Sequence, residues 1–299
     1  MKPLFAPVIL AWVAAACISS ACIFTVSIST NCLPPAFGQT ATSESKPVIG
    51  INLDLNTEGN KYSISARYLD AIAKAGGIAL LVPPMNAAEL AQVMPSLDGM
   101  LMIGGDDYPP SSYGQKVEAK TSIMAPARSQ FDMLVVRSVL AQPPMPYLGI
   151  CAGSQVLNIG SGGELIQDIP TAKPESKVAH SGKNGWQGNA AGSHVVTLKP
   201  GSKLAAIYSG KTDASGKPLA FAVPTSHHQC VSKLGKDLQV AATTDDGVTE
   251  AIEIPGDRFV VGVQWHPERD FEHNQVLFAE LINQAKAYRA SKVKVASRD

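Results

Sequence analysis

From Lys46 onward, short apolar runs alternate with segments whose apolar positions recur at three- and four-residue intervals. Period-2 and continuous apolar runs predict strands, and the longer spacing predicts helices. Strands are expected at 47–55, 78–84, 98–105 and 146–150, and helices at 65–77, 86–97 and 127–142. The glycine pair at Gly76–Gly77 supplies a stop for the first helix. This alternation predicts an α/β fold with a largely parallel central sheet and helices on both faces. The second half is richer in strands, at 193–198, 219–223, 238–244, 249–254 and 259–265. A helix over 271–290 closes the domain, and the polar residues 291–299 read as a frayed tail.

The first forty residues follow neither period. No charged side chain occurs between Lys2 and Glu44, and Leu4–Ser29 is apolar or small throughout. A polar, proline-containing stretch follows, with a small-residue frame at Ala36 and Gly38. The pattern predicts a signal peptide over 1–38, a linker over 39–46 and a single folded domain over 47–290. An exported protein, periplasmic or secreted, is the expectation; the alternative is an apolar segment retained as a membrane anchor.

Composition adds little beyond this. Of the 299 residues 45% are hydrophobic, enough for a substantial core, and 25 basic residues balance 25 acidic ones. No electrostatic footprint for nucleic acid is present. Of the five cysteines, Cys17, Cys22 and Cys32 would leave with the signal, so Cys151 and Cys230 are no disulfide framework.

One of those two cysteines is framed. Gly149-Ile150-Cys151-Ala152-Gly153 follows an apolar run and precedes a helix-like one, the form of a nucleophile elbow. Such a turn tolerates only small residues two positions either side of the nucleophile. The helix start beside the sulfur favours thiolate, and the Ala152 N–H would face a developing oxyanion. Among six histidines, His266 stands at the end of a buried apolar run, with Glu268 two residues on across a proline. That spacing suits a base and the carboxylate that orients it. No cysteine or carboxylate spacing supports a metal site on His227, His228 and His266, and no cofactor is expected.

The motifs together resemble the class I glutamine amidotransferase-like superfamily, and within it the γ-glutamyl-γ-aminobutyrate hydrolase family. "GICAGSQ" and "VGVQWHPE" carry the first resemblance. "GGDDYPPSSYG" (104–114), "GGELIQD" (162–168) and "PTSHHQ" (224–229) carry the second. The resemblance implies a flavodoxin-like fold and a triad of Cys151, His266 and Glu268. It implies an oxyanion hole from the N–H groups of Gly105 and Ala152, and a γ-glutamyl pocket lined by Gln155, His227, His228 and Gln229. The chain departs from the family at two places. Ala152 stands where an arginine is usual, and "RSQFD" (128–132) replaces R-D-x-x-E, one reading of which is the joint loss of an ion pair between elbow and helix.

The function this implies is an exported thiol hydrolase that cleaves γ-glutamyl amides of small molecules. Alternatives are a secreted folate poly-γ-glutamate hydrolase, a glutaminase-type amidotransferase and a catalytically inactive γ-glutamyl-binding protein; a homodimer is left open. Cys230 directly follows His227–His228–Gln229. It reads either as a buried strand residue or as a redox partner of Cys151.

Overall fold

A computed structural model describes residues 45–56, 58, 60–141, 144–181, 192–208 and 219–296. The signal or anchor expected over 1–38 and the linker up to Glu44 lie outside these residues. Among the described residues, no helix is long and apolar enough to cross a membrane.

In chain order the strands are β1 (Val48–Asn52), β2 (Asp54–Asn56), β3 (Lys61–Ser63), β4 (Ile78–Val82), β5 (Gly99–Met102), β6 (Tyr147–Ile150) and β7 (Glu164–Ile166). They continue with β8 (Ser193–Leu198), β9 (Ala220–Pro224), β10 (Cys230–Lys233), β11 (Gln239–Thr243), β12 (Thr249–Glu253) and β13 (Val260–Val263). The main sheet runs β4-β1-β5-β6-β13-β12-β11-β8-β9, with β10 and β7 branching from β12. From β4 to β13 every pairing is parallel. Beyond β13 every pairing is antiparallel. The expected parallel half and strand-rich half are therefore one continuous sheet. The expected first strand breaks at Leu53, and β2 and β3 form a separate ribbon.

The helices are α1 (Ala66–Lys74), α2 (Ala87–Val93), α3 (Pro126–Ala141), α4 (Ala152–Gly160), α5 (Ile169–Ala172), α6 (Lys203–Tyr208) and α7 (Phe271–Ala296). Central strands are buried on both faces, and their alternate residues feed two cores. Ile49, Ile51, Leu101, Leu148, Val261 and Val263 pack with Ile72 of α1 and with Leu277, Phe278 and Leu281 of α7. Met100, Met102, Tyr147 and Val260 pack with Leu90 of α2, Phe131 and Val135 of α3 and Val156 of α4. Helices thus cover both faces, as the alternation requires.

The polar tail expected from Ser291 is instead helical through Ala296. The Lys292 ammonium explains this extension. It pairs with Asp98 at 2.8 Å and donates to the carbonyls of Pro95 and Leu97, tying the last turns of α7 to the body.

Candidate active site

The β6–α4 junction places Cys151 at the carboxyl end of a central strand, where open α/β sheets bind ligands. Its N–H still continues the ladder, donating to the Val263 carbonyl at 2.8 Å. Its backbone then turns sharply, with φ 54° and ψ −108°, a conformation that is strained for any residue with a side chain. The flanking glycines are dictated by contact. A Cβ at Gly149 would strike the Gly153 carbonyl, and one at Gly153 would strike that of Met102. The nucleophile-elbow geometry expected from the sequence is present.

His266 follows the neighbouring strand β13 and is buried. Its Nδ1 lies 2.9 Å from Glu268 Oε1, which leaves Nε2 open, and Cys151 is its other charged neighbour. Burial alone would disfavour the imidazolium. The charges of Glu268 and of the Cys151 thiolate outweigh it, together with the hydrogen bond to Glu268, and raise the His266 pKa to about 9. Cys151, His266 and Glu268, expected to act together, are brought together at the ends of the adjacent strands β6 and β13.

Two glutamines extend the sulfur's surroundings. Gln264 Nε2 donates to Cys151 Sγ at 3.6 Å, and Gln155 Nε2 donates to Gln264 Oε1 at 3.4 Å. Gln155 therefore reaches the sulfur through Gln264, which sequence reasoning left without a role. On the oxyanion side, Ala152 opens α4, where the first N–H groups lack intrahelical acceptors. The Gly104–Gly105 turn lies opposite. A Cβ at Gly104 would sit 3.1 Å from His266 Cε1 and 3.5 Å from Cys151 Cβ. Tyr68 accepts the Gly104 N–H at 3.3 Å. Burial and the nearby Glu268 charge raise its phenol well above the ordinary value, so it stays protonated.

The turn is propped from behind by Arg128, which is wholly buried. Its guanidinium donates to the carbonyls of Leu53, Ile103 and Gly104 and to the Asp132 carboxylate. Asp132 also accepts from the Tyr108 hydroxyl at 2.6 Å and the Asn52 amide at 2.8 Å. An ion pair is therefore kept inside α3, with both partners one turn apart. The substitution of Ala152 has not left α3 without its charges.

The remaining sequence-named residues divide. His228 bridges two carboxylates, with Nδ1 3.2 Å from Asp168 and Nε2 3.2 Å from Asp107. These hydrogen bonds, Asp107 foremost, raise its pKa to about 8. Gln229 Nε2 donates to the Gln167 carbonyl at 3.1 Å. The three motif segments around Asp107, Gln167–Asp168 and His228–Gln229 are thus laced together. His227 instead joins a buried group with His180, His194 and Glu250. No spacing in the sequence announced that group. Cys230 is fully buried beside Ile169 and Val248, and burial pushes its thiol up to about 12. That is the setting of a core residue, the opposite of a reactive thiolate.

The Peptidase C26 family model matches residues 47–268. The chain belongs to this family. A protein of Mycobacterium tuberculosis named "putative glutamine amidotransferase" is 36% identical over 257 residues, covering 82% of this chain and 76% of the relative. The γ-glutamyl-γ-aminobutyrate hydrolase PuuD of Escherichia coli K12 is 27% identical over 254 residues, covering 82% of this chain and 96% of PuuD. Among solved structures, a Thermoplasma acidophilum protein named for GMP synthase superposes with a TM-score of 0.54 at 17% identity, covering 83% and 98% of the two chains. That likeness concerns the fold, which is glutamine amidotransferase-like. As a Peptidase C26 member, the chain is a hydrolase of the amidotransferase type.

Proposed function

We propose that this Peptidase C26 member is an exported thiol hydrolase that cleaves γ-glutamyl amides. The observation that carries the reading is the convergence of Cys151, His266 and Glu268 at two adjacent strand ends. The Cys151 sulfur attacks the side-chain carbonyl carbon of the γ-glutamyl group. The N–H groups of Ala152 and Gly105 receive the developing oxyanion. His266, protonated in the resting pair, gives its proton to the departing amine as the C–N bond breaks and a thioester remains. A water molecule then attacks the thioester carbonyl while His266 takes its proton. The thiolate leaves and glutamate is released.

Support for the γ-glutamyl class comes from the laced segments that resemble those of γ-glutamyl-γ-aminobutyrate hydrolases, and from the likeness to PuuD. Export rests on the uncharged apolar run before Glu44. The test is a panel of γ-glutamyl amides differing in the amine, assayed for released glutamate. Release from at least one amide is expected, with none from the matching α-glutamyl compounds. Release from neither series would overturn the reading.

A further inference from the structure

Away from Cys151, three imidazoles and one carboxylate converge in the antiparallel half of the sheet. His194 lies on β8 and Glu250 on β12, His180 follows α5, and His227 precedes β10. All four are buried, and one candidate donor atom from each lies within 4.8 Å of every other. Around Glu250, His180 Nδ1 stands at 3.2 Å, His194 Nε2 at 3.2 Å and His227 Nε2 at 3.4 Å.

One hydrogen bond, His180 Nδ1 to Glu250 Oε1, lies inside the cluster, and it accounts for only part of the crowding. Both ring nitrogens of His194, Nε2 of His227 and Oε2 of Glu250 are buried without a hydrogen-bond partner. Leaving one such group unpaired costs about 1–3 kcal/mol, and these atoms belong to three neighbouring side chains. Two rings also have their outer nitrogens fixed. His227 Nδ1 donates to the Gln229 carbonyl at 3.0 Å, and His180 Nε2 meets the Asp246 carboxylate at 3.0 Å. A neutral His227 then aims its Nε2 lone pair inward, at a carboxylate that is itself an acceptor, whereas His180 satisfies both of its carboxylates only as a cation. Protonating all three rings would instead bury three positive charges around one Glu250. Even with His180 alone charged, the His194 nitrogens and His227 Nε2 stay unpaired. A dication suits the geometry: it turns the facing lone pairs into bonds, and Asp246 sits outside as the partner that fixes a ligating ring.

The spacing of the rings points the same way. A tetrahedral ion with Zn–N bonds of about 2.05 Å, each ring centre about 1.15 Å behind its nitrogen, sets ring centres about 5.2 Å apart. The three observed separations are 4.8, 5.1 and 5.8 Å. Three nitrogens and one carboxylate oxygen suit zinc better than calcium or magnesium, which take oxygen sets. A cavity of about 180 Å³ has His180 and His227 in its wall.

We infer that His180, His194, His227 and Glu250 bind one zinc ion in a closed, structural site. Four protein donors complete a tetrahedron and leave no open position for catalysis. The ion would join four separate segments and fix the turn that carries His228 and Gln229. The neighbouring backbone is already interlocked, since the His180 carbonyl accepts from the Thr225 hydroxyl and the His227 N–H.

The experiment is metal analysis of the full chain, purified without a polyhistidine tag, loaded with zinc sulfate and passed through gel filtration. About one zinc per chain is expected in the wild type and in Cys151→Ser. At least tenfold less is expected in His194→Gln and Glu250→Gln. Cobalt(II) supplied to the wild type should give the intense visible bands of a tetrahedral site, which decides the matter even if both variants fail to fold. A wild type without stoichiometric zinc, a cobalt protein without those bands, or folded variants that keep full zinc would each overturn the assignment.

Discussion

The Arg128 guanidinium and the Asp132 carboxylate meet at 2.5 Å, one turn apart on α3, with neither side chain exposed to solvent. The arginine's remaining donors hold the carbonyls of Ile103 and Gly104, so this pair fixes the turn facing Cys151. Removing one partner of a buried pair leaves the other charge uncompensated, at a cost of about 3–5 kcal/mol. Arg128→Met should therefore lower the urea midpoint strongly and reduce turnover as well. Adding Asp132→Leu should restore much of the stability without restoring activity, because the propping donors remain absent. A single variant as stable and active as wild type would remove Arg128 from this role.

His266 owes its raised pKa to two negative neighbours, Glu268 and Cys151, working against burial. Glu268→Gln removes one of them, so the imidazolium should lose its proton at lower pH than about 9. The alkaline limb of kcat/KM against pH should shift downward accordingly. Turnover should fall less than in His266→Ala, since the amide still orients the ring. An unmoved alkaline limb with an unchanged rate would exclude Glu268 from the triad.

The same group makes stability depend on pH. Its folded pKa of about 9 lies above the unfolded value near 6.5, so the stabilisation is complete below about 6.5 and is lost as pH rises through 9. Denaturant midpoints of wild type and His266→Gln should lie furthest apart below about pH 6.5 and draw together as the pH rises through 9, where the imidazolium loses its proton. Midpoints that stay equally far apart at pH 6 and pH 9 would contradict a charged pair.

His228 offers a second titration in a different window. Its hydrogen bonds to Asp107 and Asp168 raise its folded pKa to about 8. The stabilisation is therefore present below about 6.5 and fades as pH rises through 8. Nearly a third of the side chain is exposed, so solvent screening holds the effect to about 1 kcal/mol or less. Wild type should melt above His228→Gln at pH 6, with the gap closing by pH 9. A gap that widens with pH would mean that the ring acts neutral.

The sharp turn at Cys151 was legible because its constraint is local. Gly149 and Gly153 mark a turn in which a Cβ would strike backbone, and that requirement is written within five residues. His266 and Glu268 were legible for the same reason, as close neighbours at a strand end. β7 and β10 were not, since three- and four-residue strands between turns carry too little periodicity. Arg128 was visible only as a departure from a motif; its carbonyl acceptors come from β-strand ends far along the chain. The His180, His194, His227 and Glu250 group escaped entirely. Its members sit on four segments brought together only by the antiparallel half of the sheet, so no spacing could reveal it.

In the proposed reaction the γ-glutamyl group passes through a thioester on Cys151. Rapid quenching of the enzyme during turnover of a γ-glutamyl amide, followed by intact-mass and peptide mass spectrometry, tests it most directly. One γ-glutamyl adduct is expected on the peptide carrying Cys151, absent in Cys151→Ala, which should also turn over at least about a thousandfold more slowly. Sustained hydrolysis by Cys151→Ala, or an adduct on another residue, would contradict the account.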